Sequence, residues 1–127
     1  MILVDTSAWI EFFRGHQPTA DAVKERIEAN DAALCGPVIT EIRRGIRSPR
    51  ERAAVLFCLD GCRFLSDPVN LWVEAGEIGA ALGKKGMVVK TLDLLIATVA
   101  LAHDVPLLTV DADFRLMKKA GVPLILL

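Results

Sequence analysis

The chain predicts an α/β fold: a parallel β-sheet sandwiched between helices, in one domain spanning residues 1–127. Segments with helical periodicity alternate with short strand candidates almost throughout. The strand candidates are continuous apolar runs rather than alternating ones, the pattern of strands buried on both faces. A length of 127 residues fits one domain with a real core.

Ile2-Leu3-Val4 is read as a buried strand ending in Asp5. Asp5-Thr6-Ser7 supplies capping chemistry for a helix carrying Trp9, Ile10, Phe12 and Phe13, broken by Gly15 through Pro18. A second helix runs from about Thr19 to Ala29, and Ala32 to Cys35 forms the next strand, closed by Gly36-Pro37. Pro37 suits a first helical turn, and Val38, Ile39, Ile42 and Ile46 form that helix's apolar stripe. Ser48-Pro49 starts a helix through about Asp60, and Arg63-Phe64-Leu65 is a weak strand. Pro68 is expected to open a helix that packs through Val69, Trp72, Val73, Gly76 and Ala80; Gly76, Gly79 and Gly83 allow close helix packing, internal or between subunits. Thr91 can cap the next helix, which runs to about His103. Pro106 to Val110 is a strand ending in Asp111, followed by a short helix with Phe114, Leu116 and Met117, and Leu124-Ile125-Leu126 is the last strand.

Charge and composition narrow the functional classes. The net charge of −1 rules out a global basic field, so any nucleic-acid contact must use a local patch. No apolar run approaches the ~20 residues that span a bilayer, and the N-terminus lacks the basic segment of a signal peptide. A cytoplasmic location with no membrane contact is therefore expected. Cys35, Cys58 and Cys62 are read as small buried residues in a reducing compartment. His16 and His103 show no zinc spacing to them.

The chemistry rests on acids. In open parallel sheets, ligands bind beyond the carboxyl ends of the strands, at the point where strand order reverses. Asp5 and Asp111 both end strands, and Asp113 follows Asp111. Each of the two is also a favourable helix cap, worth about 1 kcal/mol, and one side chain can do both jobs. Asp93 interrupts the apolar stretch Leu92-Asp93-Leu94-Leu95-Ile96-Ala97; a buried carboxylate there needs a partner or a metal. Glu41 lies on the shoulder of its helix's apolar stripe, where a solvated flank is the plain alternative. Two like charges ~4 Å apart repel by about 4 kcal/mol at an effective dielectric of about 20, more than a cap offsets. If these acids converge, a cation must hold them, and oxygen ligands without His or Cys suit Mg²⁺, with Mn²⁺ as substitute. Strand ends bring Asp5 and Asp111 together; periodicity alone does not bring Glu41 and Asp93 to them.

Four segments in order supply that step: Val4-Asp5-Thr6-Ser7, Ile39-Thr40-Glu41-Ile42 with Gly45, Leu92-Asp93-Leu94-Leu95-Ile96-Ala97, and Leu108-Thr109-Val110-Asp111-Ala112-Asp113-Phe114. Together they resemble the PIN-domain nucleases, specifically the VapC-type toxins of prokaryotic toxin–antitoxin pairs, over essentially the whole chain. The resemblance implies a PIN-like sheet and a metal site of Asp5, Glu41 and Asp93, with Asp111 as fourth acid, Asp113 as a further one, and Thr6 and Thr109 in support. It also implies an Mg²⁺-dependent endoribonuclease that hydrolyses RNA with metal-activated water, leaving a 5′-phosphate and a 3′-hydroxyl. A homodimer and a small VapB-like antitoxin that blocks the site complete the implied partners.

Substrate phosphates need local positive charge, and Arg43, Arg44, Lys90 and Arg115 flank the proposed ligands in sequence. The aromatic surface of Trp9, Phe12 and Phe13 is read as core, with a groove for a partner helix as the alternative. A metal-binding phosphoacceptor or interaction module without nuclease activity is the rival reading. The chain lacks the acid pair that a phosphoacceptor domain carries after its first strand, and Ser7 stands where a dehalogenase-type phosphatase has a second acid.

Overall fold

The computed structural model describes residues 1–127. The elements are β1 (Ile2–Val4), α1 (Thr6–Arg14), α2 (Thr19–Glu28), β2 (Ala32–Leu34), α3 (Gly36–Arg44), α4 (Pro49–Asp60), β3 (Arg63–Phe64), α5 (Leu71–Gly83), α6 (Thr91–His103), β4 (Leu107–Leu108) and α7 (Ala112–Lys119). The sheet has the order β3-β2-β1-β4 and every neighbouring pair is parallel. Leu3 pairs with Ala33 on one side and Leu107 on the other, so β1 is central. β1 and β2 are buried at every residue, as a sheet covered on both faces requires.

This order places the site. From β1 the chain steps through β2 to β3 in one direction, and β4 then returns to the opposite side of β1. Strand order therefore reverses between β1 and β4, whose carboxyl ends run into Asp5 and Thr109-Val110-Asp111. The Asp5 amide donates to the Leu108 carbonyl at 2.9 Å, closing the seam at that end. β1 hands over to α1 through Asp5 alone, whereas the strand expected over 106–110 stops at Leu108 and reaches α7 through Thr109, Val110 and Asp111. Asp5 caps α1 by accepting from the Ser7 amide at 3.3 Å, and Asp111 caps α7 by accepting from the Asp113 amide at 2.9 Å. Gly15, in the left-handed region at φ 69°, ends α1.

Four expectations need correcting. Pro68 does not open α5; its carbonyl accepts from the Leu71 amide in the turn that precedes the helix. Thr91 is the first residue of α6 rather than its cap, and the cap position is Lys90, whose side chain makes no capping bond. The last strand reduces to a single parallel bridge between Leu107 and Leu126, because β4 offers only two residues. Most consequentially, α5 buries Leu71, Ala75 and Leu82, while Trp72, Val73, Gly76 and Ala80 face outward and Val69, in the turn before the helix, is exposed. The helix is apolar around most of its circumference, so periodicity alone gives two candidate inner faces. Of its three spaced glycines only Gly79 meets a neighbour, the Leu94 side chain of α6.

Candidate metal centre

Five polar side chains are buried in this protein, and four of them (Asp5, Thr6, Asp93 and Thr109) belong to one site. The fifth, Thr98, satisfies itself inside α6 by donating to the Leu94 carbonyl at 2.7 Å. Burial of polar groups carries a cost unless they are bonded, so the four define where the fold spends its polar interior.

Asp5 sits at the sheet's reversal point and is 3% exposed. Its Oδ2 accepts from the Ser7 hydroxyl at 2.6 Å and from the Thr109 hydroxyl at 2.9 Å. Burial pushes the Asp5 carboxyl above its usual range, and the bonds from Ser7 and Thr109 oppose that shift. Thr109 Oγ1 also accepts from the Asp111 amide at 3.0 Å, and Ser7 Oγ accepts from the Val110 amide at 3.1 Å. The end of β1 and the segment after β4 are thus bonded through two hydroxyls.

Glu41, on α3, is held from α1: Thr6 Oγ1 donates to its Oε1 at 2.9 Å. Asp93, in the first turn of α6, is 6% exposed, and its Oδ2 is buried without any hydrogen-bond partner. Oxygens of Asp93, Asp111 and Asp113 lie within 4.8 Å of one another. The Asp93 carboxyl is pushed up to about 7, by burial first and then by the charges of Asp111, Asp5, Glu41 and Asp113 in that order. The other four acids singled out in the sequence therefore all act on Asp93, and Asp111 and Asp113 approach it most closely.

Four of the five line a cleft of about 540 Å³ whose wall includes Asp5, Thr6, Ser7, Glu41, Asp93 and Asp111; Asp113 stands behind it, within reach of Asp93 and Asp111. The donor set fits a hard divalent cation. It offers carboxylate and hydroxyl oxygens, with no thiolate or imidazole in the wall, and it contains a buried, orphaned carboxylate oxygen that a cation would satisfy. Of the four cations expected at the substrate, Arg44 and Lys90 stand in this wall. Arg43 and Arg115 are exposed outside it. Arg44 is three residues from Glu41 and shares its helix face, whereas residues two apart, such as Arg43, point away.

A second, more apolar groove of about 450 Å³ adjoins the cleft and shares Thr6, Ile10 and Glu41 with it. Ile10, Phe13, Ile42, Ile46 and Val55 supply its apolar wall, with Arg14 and Arg47 among its polar residues. Trp9 is fully buried as core, while Phe13 stacks on it and remains partly open to the groove. Ser7 is the site residue that reading for acids and cations missed; a hydroxyl two places after a strand-end acid is the signal that marks it.

Residues 2–120 match the family description of the PIN domain. A VapC ribonuclease of Mycobacterium bovis is 31% identical over 125 residues, covering 94% of this chain and 92% of that protein. Ribonuclease VapC21 of Mycobacterium tuberculosis is 36% identical over 122 residues, covering 89% of this chain and 83% of that protein. Among solved structures, VapBC2 from Rickettsia felis bound to a DNA fragment from its promoter superposes with a TM-score of 0.78 at 20% identity, covering 100% of this chain and 98% of that one. VapBC-1 from nontypeable Haemophilus influenzae gives a TM-score of 0.78 at 18% identity, covering 100% and 97%. With the fold, the acids and the relatives in agreement, the chain belongs to the PIN-domain family, in its VapC branch.

Proposed function

We propose that this protein is a Mg²⁺-dependent endoribonuclease, with Mn²⁺ as substitute, and the toxin of a toxin–antitoxin pair acting in the cytoplasm. The observation that carries the reading is the orphaned Asp93 Oδ2 in a cleft walled by three further acids and two cations. Relatives named as ribonucleases favour phosphodiester hydrolysis over a phosphoacceptor role.

Asp5 and Asp93 would hold the cation directly, with Glu41 and Asp113 completing the oxygen shell and Asp111 meeting it through a coordinated water. A bound divalent ion supplies Lewis acidity, stabilising charge that develops on the scissile phosphate, and lowers the pKa of a coordinated water. The protein's part is orientation. Arg44 and Lys90 bind the phosphates on either side of the scissile bond and set the backbone against the acids. Asp111 Oδ1 is committed to the Asp113 amide, which leaves its Oδ2 to take the proton of the attacking water. Water adds to phosphorus, the bond to O3′ breaks, and the departing oxygen is protonated from solvent. The products are a 5′-phosphate and a 3′-hydroxyl.

The apolar groove beside the cleft is where an antitoxin segment would dock, since an occupant there reaches the acids past Ile10 and Glu41. The outward face of α5 is the proposed homodimer contact: Gly76 and Ala80 let a second helix approach between Trp72 and Val73. Incubating the purified protein with mixed RNA, with and without Mg²⁺ or Mn²⁺, tests the activity. Wild type should cut only with metal and Asp93→Asn should not cut; fragments ending in 3′-phosphate would refute the mechanism, and metal-independent cutting would refute the site.

A further inference from the structure

We infer that Ser7 is a positioning residue of the metal centre: its hydroxyl occupies Asp5 Oδ2 and ties that carboxylate to the segment after β4, so that Oδ1 alone is presented to the cation. The inference rests on the metal-centre reading above and deepens it.

The argument is one of valence. A serine hydroxyl has one proton and two lone pairs. Ser7 spends its proton on Asp5 Oδ2 at 2.6 Å and accepts from the Val110 amide at 3.1 Å. Thr109 is arranged in parallel: its proton goes to the same Oδ2 at 2.9 Å, and it accepts from the Asp111 amide at 3.0 Å. Both hydroxyl protons are therefore used, and the 3.1 Å contact between the two oxygens is packing between parallel donors. Oδ2 also receives the Ser7 amide at 3.3 Å. Three donors fill one oxygen of a buried carboxylate, while no hydroxyl reaches Oδ1, in a residue that lines the cleft.

The two hydroxyls differ in what they fix. Thr109 relays Asp5 to the Asp111 amide, at the cap of α7. Ser7 belongs to the first turn of α1, and its bond to Val110 joins that helix to the strand end 103 residues away. Without Ser7, Asp5 keeps a single hydroxyl donor and can rotate about its terminal torsion, which is broad for a carboxylate. Both its oxygens then compete for the same space. Partners of this kind, which orient a ligand without touching the metal, are worth about 10–100-fold in metal affinity or activity.

The test measures Mn²⁺ binding to the metal-free protein by calorimetry, with RNA cleavage as a second readout. S7A is expected to keep its far-UV circular dichroism, to bind Mn²⁺ at least about tenfold more weakly, and to lose kcat with KM for RNA unchanged. S7T, which restores the hydroxyl, should recover most of the affinity, a rescue that a purely structural role would not require. If S7A fails to fold, S7C preserves the volume with a weak donor and decides on the same criterion. Folded S7A or S7C with wild-type Mn²⁺ affinity overturns the inference and leaves the metal centre standing. Wild type that binds no Mn²⁺ overturns the metal centre itself, and the inference with it.

Discussion

Thr6 Oγ1 donates to Glu41 Oε1 at 2.9 Å, a bond that spans 35 residues and joins the first turn of α1 to α3. Glu41 is half-buried and has no other side-chain partner, so this hydroxyl sets which way the carboxylate points. Thr6→Val keeps the shape and removes the donor. We expect Mn²⁺ affinity to fall by about tenfold while the melting temperature changes little. Calorimetry on the metal-free protein checks it; wild-type affinity in T6V would mean that Glu41 takes no part in the site.

Asp93 gives a pH signature in the metal-free protein. Its carboxyl is raised from 3.8 to about 7, by burial first and then by the charges of Asp111, Asp5, Glu41 and Asp113. The folded state therefore keeps a proton that the unfolded chain releases at much lower pH, and the associated stabilisation is lost as pH rises through about 7. Asp5, also raised, acts in the same direction. The melting temperature of metal-free protein should fall between pH 5 and pH 8, and Asp93→Asn should flatten that slope. Added Mn²⁺, which displaces the proton, should raise the melting temperature more at pH 8 than at pH 6. Equal slopes for wild type and D93N would show that Asp93 is not the proton held.

Arg44 and Lys90 are the cations placed in the cleft wall. If each contacts a phosphate, R44A and K90A should each weaken RNA binding uniformly across sequences and reduce the slope of log affinity against log salt by about 1. R43A and R115A, outside the wall, should leave the slope near wild type. Titration of a non-cleavable RNA at several salt concentrations measures all four.

The outward side of α5 carries Trp72 and Val73 at 73% and 66% exposure, and Val69 in the turn before it is 101% exposed, a cluster unusual for a free surface. Trp72→Glu should convert a dimer to a monomer in light scattering after size exclusion, with little loss of helix content because the side chain is outside the protomer's core. A wild-type protein that is monomeric at micromolar concentrations would remove this face from the assembly.

The same helix marks where the sequence stops being readable. Its inner residues Leu71, Ala75 and Leu82 and its outer residues Trp72 and Val73 are alike apolar, so the choice depends on what the sheet and α6 present. Strand ends are easier, because Asp5 and Asp111 are fixed by chain order and by where β1 and β4 stop. Glu41 and Asp93 reach the same cleft only through the placement of α3 and α6, which no local period encodes; in the sequence only the family resemblance groups them. Ser7 reads as an ordinary capping residue until the Val110 amide is seen on its hydroxyl. Arg115 follows Asp113 by two residues yet is exposed outside the cleft wall, because helical residues two apart point about 200° apart.

Asp111 has two roles that a pair of substitutions can separate. It caps α7 through Oδ1, and it adds negative charge beside Asp93. Asparagine is as good a cap as aspartate, whereas alanine loses about 1 kcal/mol at such a position. D111N should therefore hold the stability of the metal-free protein at or above wild type, because it keeps the cap and removes a like charge from Asp93. D111A should lower stability by about 1 kcal/mol, offset in part by the same relief of repulsion. Both should weaken Mn²⁺ binding to a similar degree, since both remove the carboxylate. Urea unfolding with and without Mn²⁺ resolves the two effects, and a D111N that binds Mn²⁺ like wild type would reduce Asp111 to a helix cap.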